Sequence, residues 1–225
     1  MHHLCIAIDG PAGAGKSTVA KEVARRLGIV YVDTGAMYRA VAWLALRHGV
    51  SPADEQGLIR LLRQHELRFE RNGHGMFDVY VDGANITSEL RTPEVSAAVS
   101  QLSAHPEIRR ILTEWQRSFS RSQSVVMDGR DIGTVVMPDA PVKIYLTADI
   151  RERARRRADE LAAKGFSVSV EELLHSLRER DERDTSRACA PLRRPDDAIC
   201  IDSTDMTVDE VVERILSIVR QVHHG

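Results

Sequence analysis

The chain reads as an α/β fold, a parallel sheet flanked by helices, on three observations. Five short apolar runs, at residues 4–8, 29–32, 125–127, 142–146 and 198–201, are spread along the 225 residues. Segments between them carry apolar side chains at helical spacing. Between the first run and the first such segment, Gly10-Pro11-Ala12-Gly13-Ala14-Gly15-Lys16-Ser17 fits the pattern G-x-x-x-x-G-K-[ST]. Strands buried on both faces read as continuous apolar runs, and parallel neighbours need crossover connections, here helical.

The first strand is Leu4-Cys5-Ile6-Ala7-Ile8, and Val19, Ala20, Val23, Ala24 and Leu27 then recur at helical spacing until Gly28 stops the helix. The loop between them suits a polyphosphate, as in a fold of the P-loop NTPase type. Its glycines let backbone N–H groups turn inward and the helix N-terminus adds partial positive charge. Lys16 reaches the outer phosphates, and the Ser17 hydroxyl is the candidate magnesium ligand, with Thr18 offering a second hydroxyl. The second run ends in Val32-Asp33-Thr34-Gly35-Ala36-Met37-Tyr38-Arg39, which puts a hydroxyl and an arginine at the C-terminal sheet edge, where open α/β folds bind ligands.

Residues 66–100 break the pattern. Leu67-Arg68-Phe69 and Phe77-Asp78-Val79-Tyr80-Val81 alternate, Asn72-Gly73 and Asp82-Gly83 supply turns, and Thr92-Pro93-Glu94 opens a short helix. A small antiparallel subdomain inserted in one domain spanning 1–225 is expected. The helix with Ile108, Ile111, Leu112, Trp115 and Phe119 precedes the third strand, which ends in Met127-Asp128-Gly129-Arg130-Asp131-Ile132-Gly133-Thr134, a second acid and arginine pair beside glycines. Residues 150–190 are dense in charge. There Ser169-Val170-Glu171-Glu172 caps a helix whose stripe runs from Leu173 and Leu177 into Arg180, Asp184 and Arg187, with Arg183 alongside. Thr207-Val208-Asp209-Glu210 caps the last helix, with Val211, Val212, Ile215, Leu216 and Val219 on one side.

Composition narrows the partners. With 43% hydrophobic residues the chain can bury a full core, and a net charge of -2 leaves no broad basic field for nucleic acid. No apolar run approaches the roughly 20 residues of a membrane helix, and the N-terminus lacks a signal peptide's pattern. A cytoplasmic protein with no membrane or nucleic-acid partner is expected. Cys5, Cys189 and Cys200 lack metal-ligand spacing and are read as reduced packing residues. The pairs His2-His3 and His223-His224 are read as solvated tails.

A phosphate loop alone does not name a reaction. Arginines converging on it suit phosphoryl transfer, because planar donors stabilise the charge spread over the transferring group and help exclude water. No general base is needed if the acceptor is itself a phosphate, already ionised at neutral pH. The set I-D-G-P-A-G-A-G-K-S-T, V-D-T-G-A-M-Y-R, D-G-R-D-I-G-T-V-V, P-V-K-I-Y-L and R-D-E-R-D-T-S-R-A-C-A-P-L resembles the bacterial type of cytidylate kinase, a nucleoside monophosphate kinase, over nearly the whole chain.

That resemblance implies transfer of the ATP γ-phosphoryl group to CMP or dCMP, with Mg2+, by a monomer whose 66–100 insert binds the monophosphate and whose 150–190 segment is a helical lid. It implies that Lys16, Arg130, Arg180 and Arg187 act in catalysis and that residues 10–18 hold the donor. It further implies that Arg39, Arg130 and Arg180 clamp the CMP phosphate, that Arg187 acts on phosphates from the lid and that Asp184 takes the sugar hydroxyls. Thr34 stands where the family often has serine, and Ser100, Arg109 and Asp131 resemble the base-reading group. Their chemistry fits cytosine: a carboxylate accepts from the exocyclic amine while arginine donates to the ring acceptors. The alternatives are a kinase of the same fold for another small acceptor and a non-catalytic nucleotide switch.

Overall fold

The computed structural model describes residues 3–73, 77–163 and 165–223. His2, His224 and the tip of the turn after Asn72-Gly73 lie outside them. Five parallel strands, β1 (Cys5–Asp9), β2 (Val30–Asp33), β6 (Val125–Gly129), β7 (Val142–Thr147) and β8 (Ile199–Asp202), form a sheet in the order β2-β6-β1-β7-β8. Each expected run lies within a residue or two of its strand.

Period-two alternation sorts the strand side chains between two cores. Ile6, Ile8, Tyr31 and Val126 pack with helices α1 (Lys16–Leu27) and α8 (Val208–His223). Ala7, Val30, Val32, Val125 and Met127 face α2 (Thr34–Arg47), α3 (Glu55–Gln64), α4 (Pro93–Leu102) and α5 (Pro106–Ser122). The edge strand β8 departs from the pattern. Although Ile199-Cys200-Ile201 reads as fully apolar, β8 has a neighbour on one side only, so Ile199 and Cys200 are exposed and Ile201 alone is buried. The reading of Cys200 as a packing residue is therefore wrong. Cys5 and Cys189 are half-buried and, like Cys200, carry free thiols.

Within 66–100, strands β3 (Leu67–Arg71), β4 (Phe77–Val81) and β5 (Ala84–Asn85) make a second, antiparallel sheet. Asp82 and Gly83 both take positive φ, 48° and 81°, as a two-residue hairpin turn of the I′ kind requires. A short 3-10 turn, Thr87–Arg91, leads to α4, where the Thr92 hydroxyl accepts from Val95 N–H and Pro93 occupies the first turn. Helices α6 (Ile150–Ala162) and α7 (Val170–Ser186) pair beside the sheet. Ser169 and Glu172 form the expected capping box on α7. Ala154 and Leu161 of α6, Leu173 and Leu177 of α7 and Ala12 of the glycine-rich loop share a third, small apolar cluster. No helix is long and apolar enough to cross a membrane among the described residues.

Candidate active site

The sheet order sends the chain first to one side of β1 and then to the other, and this switch leaves a crevice beyond the strand ends. A cavity of about 730 Å³ occupies it. One end is built by the loop after β1. Gly10, at φ 148°, lies so close to the neighbouring strand that a Cβ would stand 1.9 Å from the Leu146 carbonyl oxygen, and Gly15 starts α1 in the left-handed region at φ 85°. Ala12, Gly13, Ala14, Gly15, Lys16, Ser17 and Thr18 line the cavity, whereas Gly10 and Pro11 shape the loop from behind. Lys16 is buried, its Nζ donating to Pro11 O at 2.7 Å. Burial, then the Arg130 guanidinium, pushes its pKa well below the usual lysine range, while Asp128 and Asp9 oppose the shift.

The opposite wall carries the expected acceptor residues. Thr34, on the first turn of α2, donates its hydroxyl to Asp128 O at 2.6 Å. Arg39 pairs with Asp33 at 3.0 Å, and Arg91 reaches the same carboxylate at 2.7 Å from the antiparallel insert. Burial pushes Asp33 up, but Arg39 and Arg91 outweigh it and hold the carboxyl below its ordinary value. Arg109 and Asp131 form a buried ion pair on the cavity wall. Arg109 also donates to Ser103 O at 3.1 Å and stands 5.4 Å from the Tyr38 ring centroid.

Helix α7 covers this wall. Arg130 donates to Asp184 at 2.8 Å, and Arg187 lies 3.8 Å from both Asp131 and Asp184. Burial favours a neutral Asp184, yet Arg130 and Arg180 hold its pKa below the usual value. Arg180 has no hydrogen bond or ion pair among the described residues, and burial with Arg130 pushes its pKa down to about 10. Buried cations facing one another in this way make a place for an anion.

Two expectations shift. Ser100 does not line the cavity; its Oγ is buried without a partner, while Ser96, Val99 and Ser103 form the stripe that α4 and the turn after it present. The reason is helical phase: at about 100° per residue Ser96, Val99 and Ser103 fall within an arc of about 60°, and Ser100 lies beyond its edge. Arg183 points to solvent, its Nε donating to Glu179 O at 3.1 Å.

Other wall residues gave no isolated signal in the sequence: Asp33, Asp128 and Arg91 on the acceptor side, and Arg156 and Arg157 from α6. Asp33 also caps α2 by accepting from Ala36 N–H at 2.9 Å, the ordinary role of such a residue. The triple arginine at 155–157 was the available clue for α6. Arg156 reaches Ser203 at 3.1 Å beside Met206, Thr207 and Val208, which line the cavity's far end near the loop. Arg153 is buried, donates to Ala12 O at 2.9 Å and pairs with Asp181 at 2.8 Å, tying α6 and α7 to the loop.

The family model for cytidylate kinase matches residues 6–221. A cytidylate kinase of Carboxydothermus hydrogenoformans is 50% identical over 214 residues, covering 95% of this chain and 96% of the relative. One from Geobacter sulfurreducens is 48% identical over 218 residues, covering 97% and 93%. The crystal structure of an uncharacterized protein from Eubacterium ventriosum shares the fold at a TM-score of 0.56 and 16% identity, over 97% of this chain and 99% of that one. With the family model matching residues 6–221, and so the sheet, the cavity and both helical layers, and with relatives about half identical over nearly the whole chain, the chain belongs to the cytidylate kinase family.

Proposed function

We propose that this protein transfers the γ-phosphoryl group of ATP to CMP or dCMP, releasing ADP and CDP or dCDP. The observation that carries the reading is a single cavity holding the phosphate loop, the unpaired Arg180 and the buried Arg109–Asp131 pair. Lys16 and the loop N–H groups hold the donor phosphates, with the donor base toward Arg156 and Met206. Arg39, Arg130 and Arg180 take the acceptor phosphate, Arg187 adds charge from the lid, and Asp184 receives the sugar hydroxyls.

Asp131 accepts from the cytosine amine and Arg109 donates to the ring acceptors. Uracil sets a carbonyl against Asp131, and the two unpaired acceptors cost about 1–3 kcal/mol each in a dry site. The acceptor's own phosphate oxygen is the nucleophile, so these side chains align and neutralise rather than remove a proton. The Ser17 hydroxyl lines the cavity and has no hydrogen-bond partner among the described residues, which fits it as a ligand for Mg2+. When bound, that ion supplies charge neutralisation between the donor phosphates.

The enzyme acts as a monomer in this reading. The insert at 66–100 and the segment at 150–190 then serve as monophosphate-binding and lid elements of a cytoplasmic enzyme. Chromatography of a reaction with ATP, Mg2+ and CMP should show ADP and CDP rising in equal amounts, and no ADP when CMP is left out. ADP formed at the same rate without acceptor would identify an ATPase instead.

A further inference from the structure

The turn carrying Asp131 has an unusual construction. Residues Ile132–Val136 form a single π-helical turn, with Val136 N–H donating to Asp131 O at 3.1 Å and Met137 N–H to Ile132 O at 2.7 Å. Asp131 itself does not cap the turn, since its carboxylate is committed to Arg109. The cap comes from elsewhere. Asp9, the last residue of β1 and 1% exposed, accepts Ile132 N–H at 2.8 Å on one oxygen and Gly133 N–H at 2.7 Å on the other. At the opposite end Arg117 of α5 donates to Val135 O at 2.8 Å and Val136 O at 3.3 Å. Orphan N–H groups are thus met by a carboxylate and orphan carbonyls by a guanidinium, each with the sign that the turn's dipole favours.

We propose that Asp9 and Arg117 are positioning residues for acceptor-base selectivity, acting as a two-sided clamp that fixes the Asp131 carboxylate against the base. This rests on the reading of Asp131 as the residue that meets the cytosine amine. The clamp joins the two halves of the site. Asp9 immediately precedes Gly10 of the donor loop, and Arg117 lies on the helix that carries Arg109, Asp131's ion-pair partner. A carboxylate so deeply buried is not a stable default. Burial pushes its pKa up to about 6, against the pull of the two N–H groups, with Asp131 adding to the rise and Lys16 opposing it.

The test is a comparison of kcat/KM for CMP and UMP in the wild type, Asp9→Asn, Arg117→Gln and Asp131→Asn. Asp9→Asn keeps the volume but turns one acceptor into a donor facing an N–H. Because a displacement of about 1 Å can cost roughly 100-fold, each clamp variant should raise KM for CMP about tenfold and narrow the CMP-to-UMP ratio at least about threefold. Both readouts are independent of the fraction of active enzyme, so a merely structural role would lower kcat and leave them unchanged.

If Asp131→Asn narrows the ratio while both clamp variants keep the wild-type value, the clamp is wrong and the base reading stands. An unchanged ratio in Asp131→Asn overturns the base reading, and the clamp with it. Should Asp9→Asn fail to fold, Arg117→Gln decides alone, since that side chain is 35% exposed and carries little of the core.

Discussion

Lys16 sits where the fold pays most for function. Its ammonium is buried near Arg130 and Arg180, and its pKa is held well below the lysine range. The protonated form is therefore disfavoured by folding, and the penalty fades as pH rises toward the unfolded value. Lys16→Met should melt at or above the wild-type temperature near neutral pH, and the gap should close as pH is raised toward 10. Its kcat/KM should fall by a factor on the order of 1,000, since a charge aimed at the transferring group is lost. A collapsed melting temperature would mark Lys16 as structural. Asp184 has the opposite sign. Its folded pKa is depressed, so its contribution is full above the unfolded carboxylate value of 3.8 and is lost as pH falls through the folded one. Asp184→Asn, which strips Arg130 of its partner, should cost about 3 kcal/mol at neutral pH by chemical denaturation, with the difference shrinking only below about pH 4. Residues such as Lys16 and Arg130 were legible because a motif or a glycine-flanked loop announced them. Asp9, Asp33 and Asp128 were not, because each looks like any acid at a strand end until its distant partners are seen, 58 to 124 residues away along the chain.

Helix α7 was legible as an element. The capping box, the apolar start and the charged finish of its stripe all lie where spacing put them, and Arg180, Asp184 and Arg187 do face the cavity. Phase was harder to read. Arg183 and Ser100 each fall one helical step off the face that their neighbours occupy, and a sequence fixes helical phase only to within such a step. The edge position of β8 was hidden for a related reason, since an apolar run reports burial potential and not the number of neighbouring strands. The small cluster joining α6 and α7 to Ala12 predicts a lid that opens before the rest of the fold. Ser169→Ala should destabilise α7 by about 1 kcal/mol. Hydrogen exchange should then quicken at 170–186 and remain unchanged in α1; uniform acceleration along the chain would contradict a separate unit.

At the scale of the whole molecule, one parallel sheet with a core on each face sets two surfaces opposite each other across the crevice. In the proposed reaction, the loop after β1 and the far end near Arg156 serve as the donor side, and the ends of β2 and β6 with α4 and α5 as the acceptor side. The strand runs and the loop motif were enough to foresee the donor side. On the acceptor side the loops bearing Arg39 and Arg130 were legible at the strand ends, whereas the pairing of Arg109 with Asp131 depends on a contact between α5 and the end of β6 that no local pattern encodes. If the Arg109–Asp131 pair reads the acceptor base, cytosine is the preferred one. The most direct test is kcat/KM for CMP, dCMP, UMP, AMP and GMP at fixed ATP and Mg2+. CMP and dCMP should lead UMP by at least about tenfold, the equivalent of roughly 1.4 kcal/mol for one mismatched polar group; equal values for CMP and UMP would contradict the account.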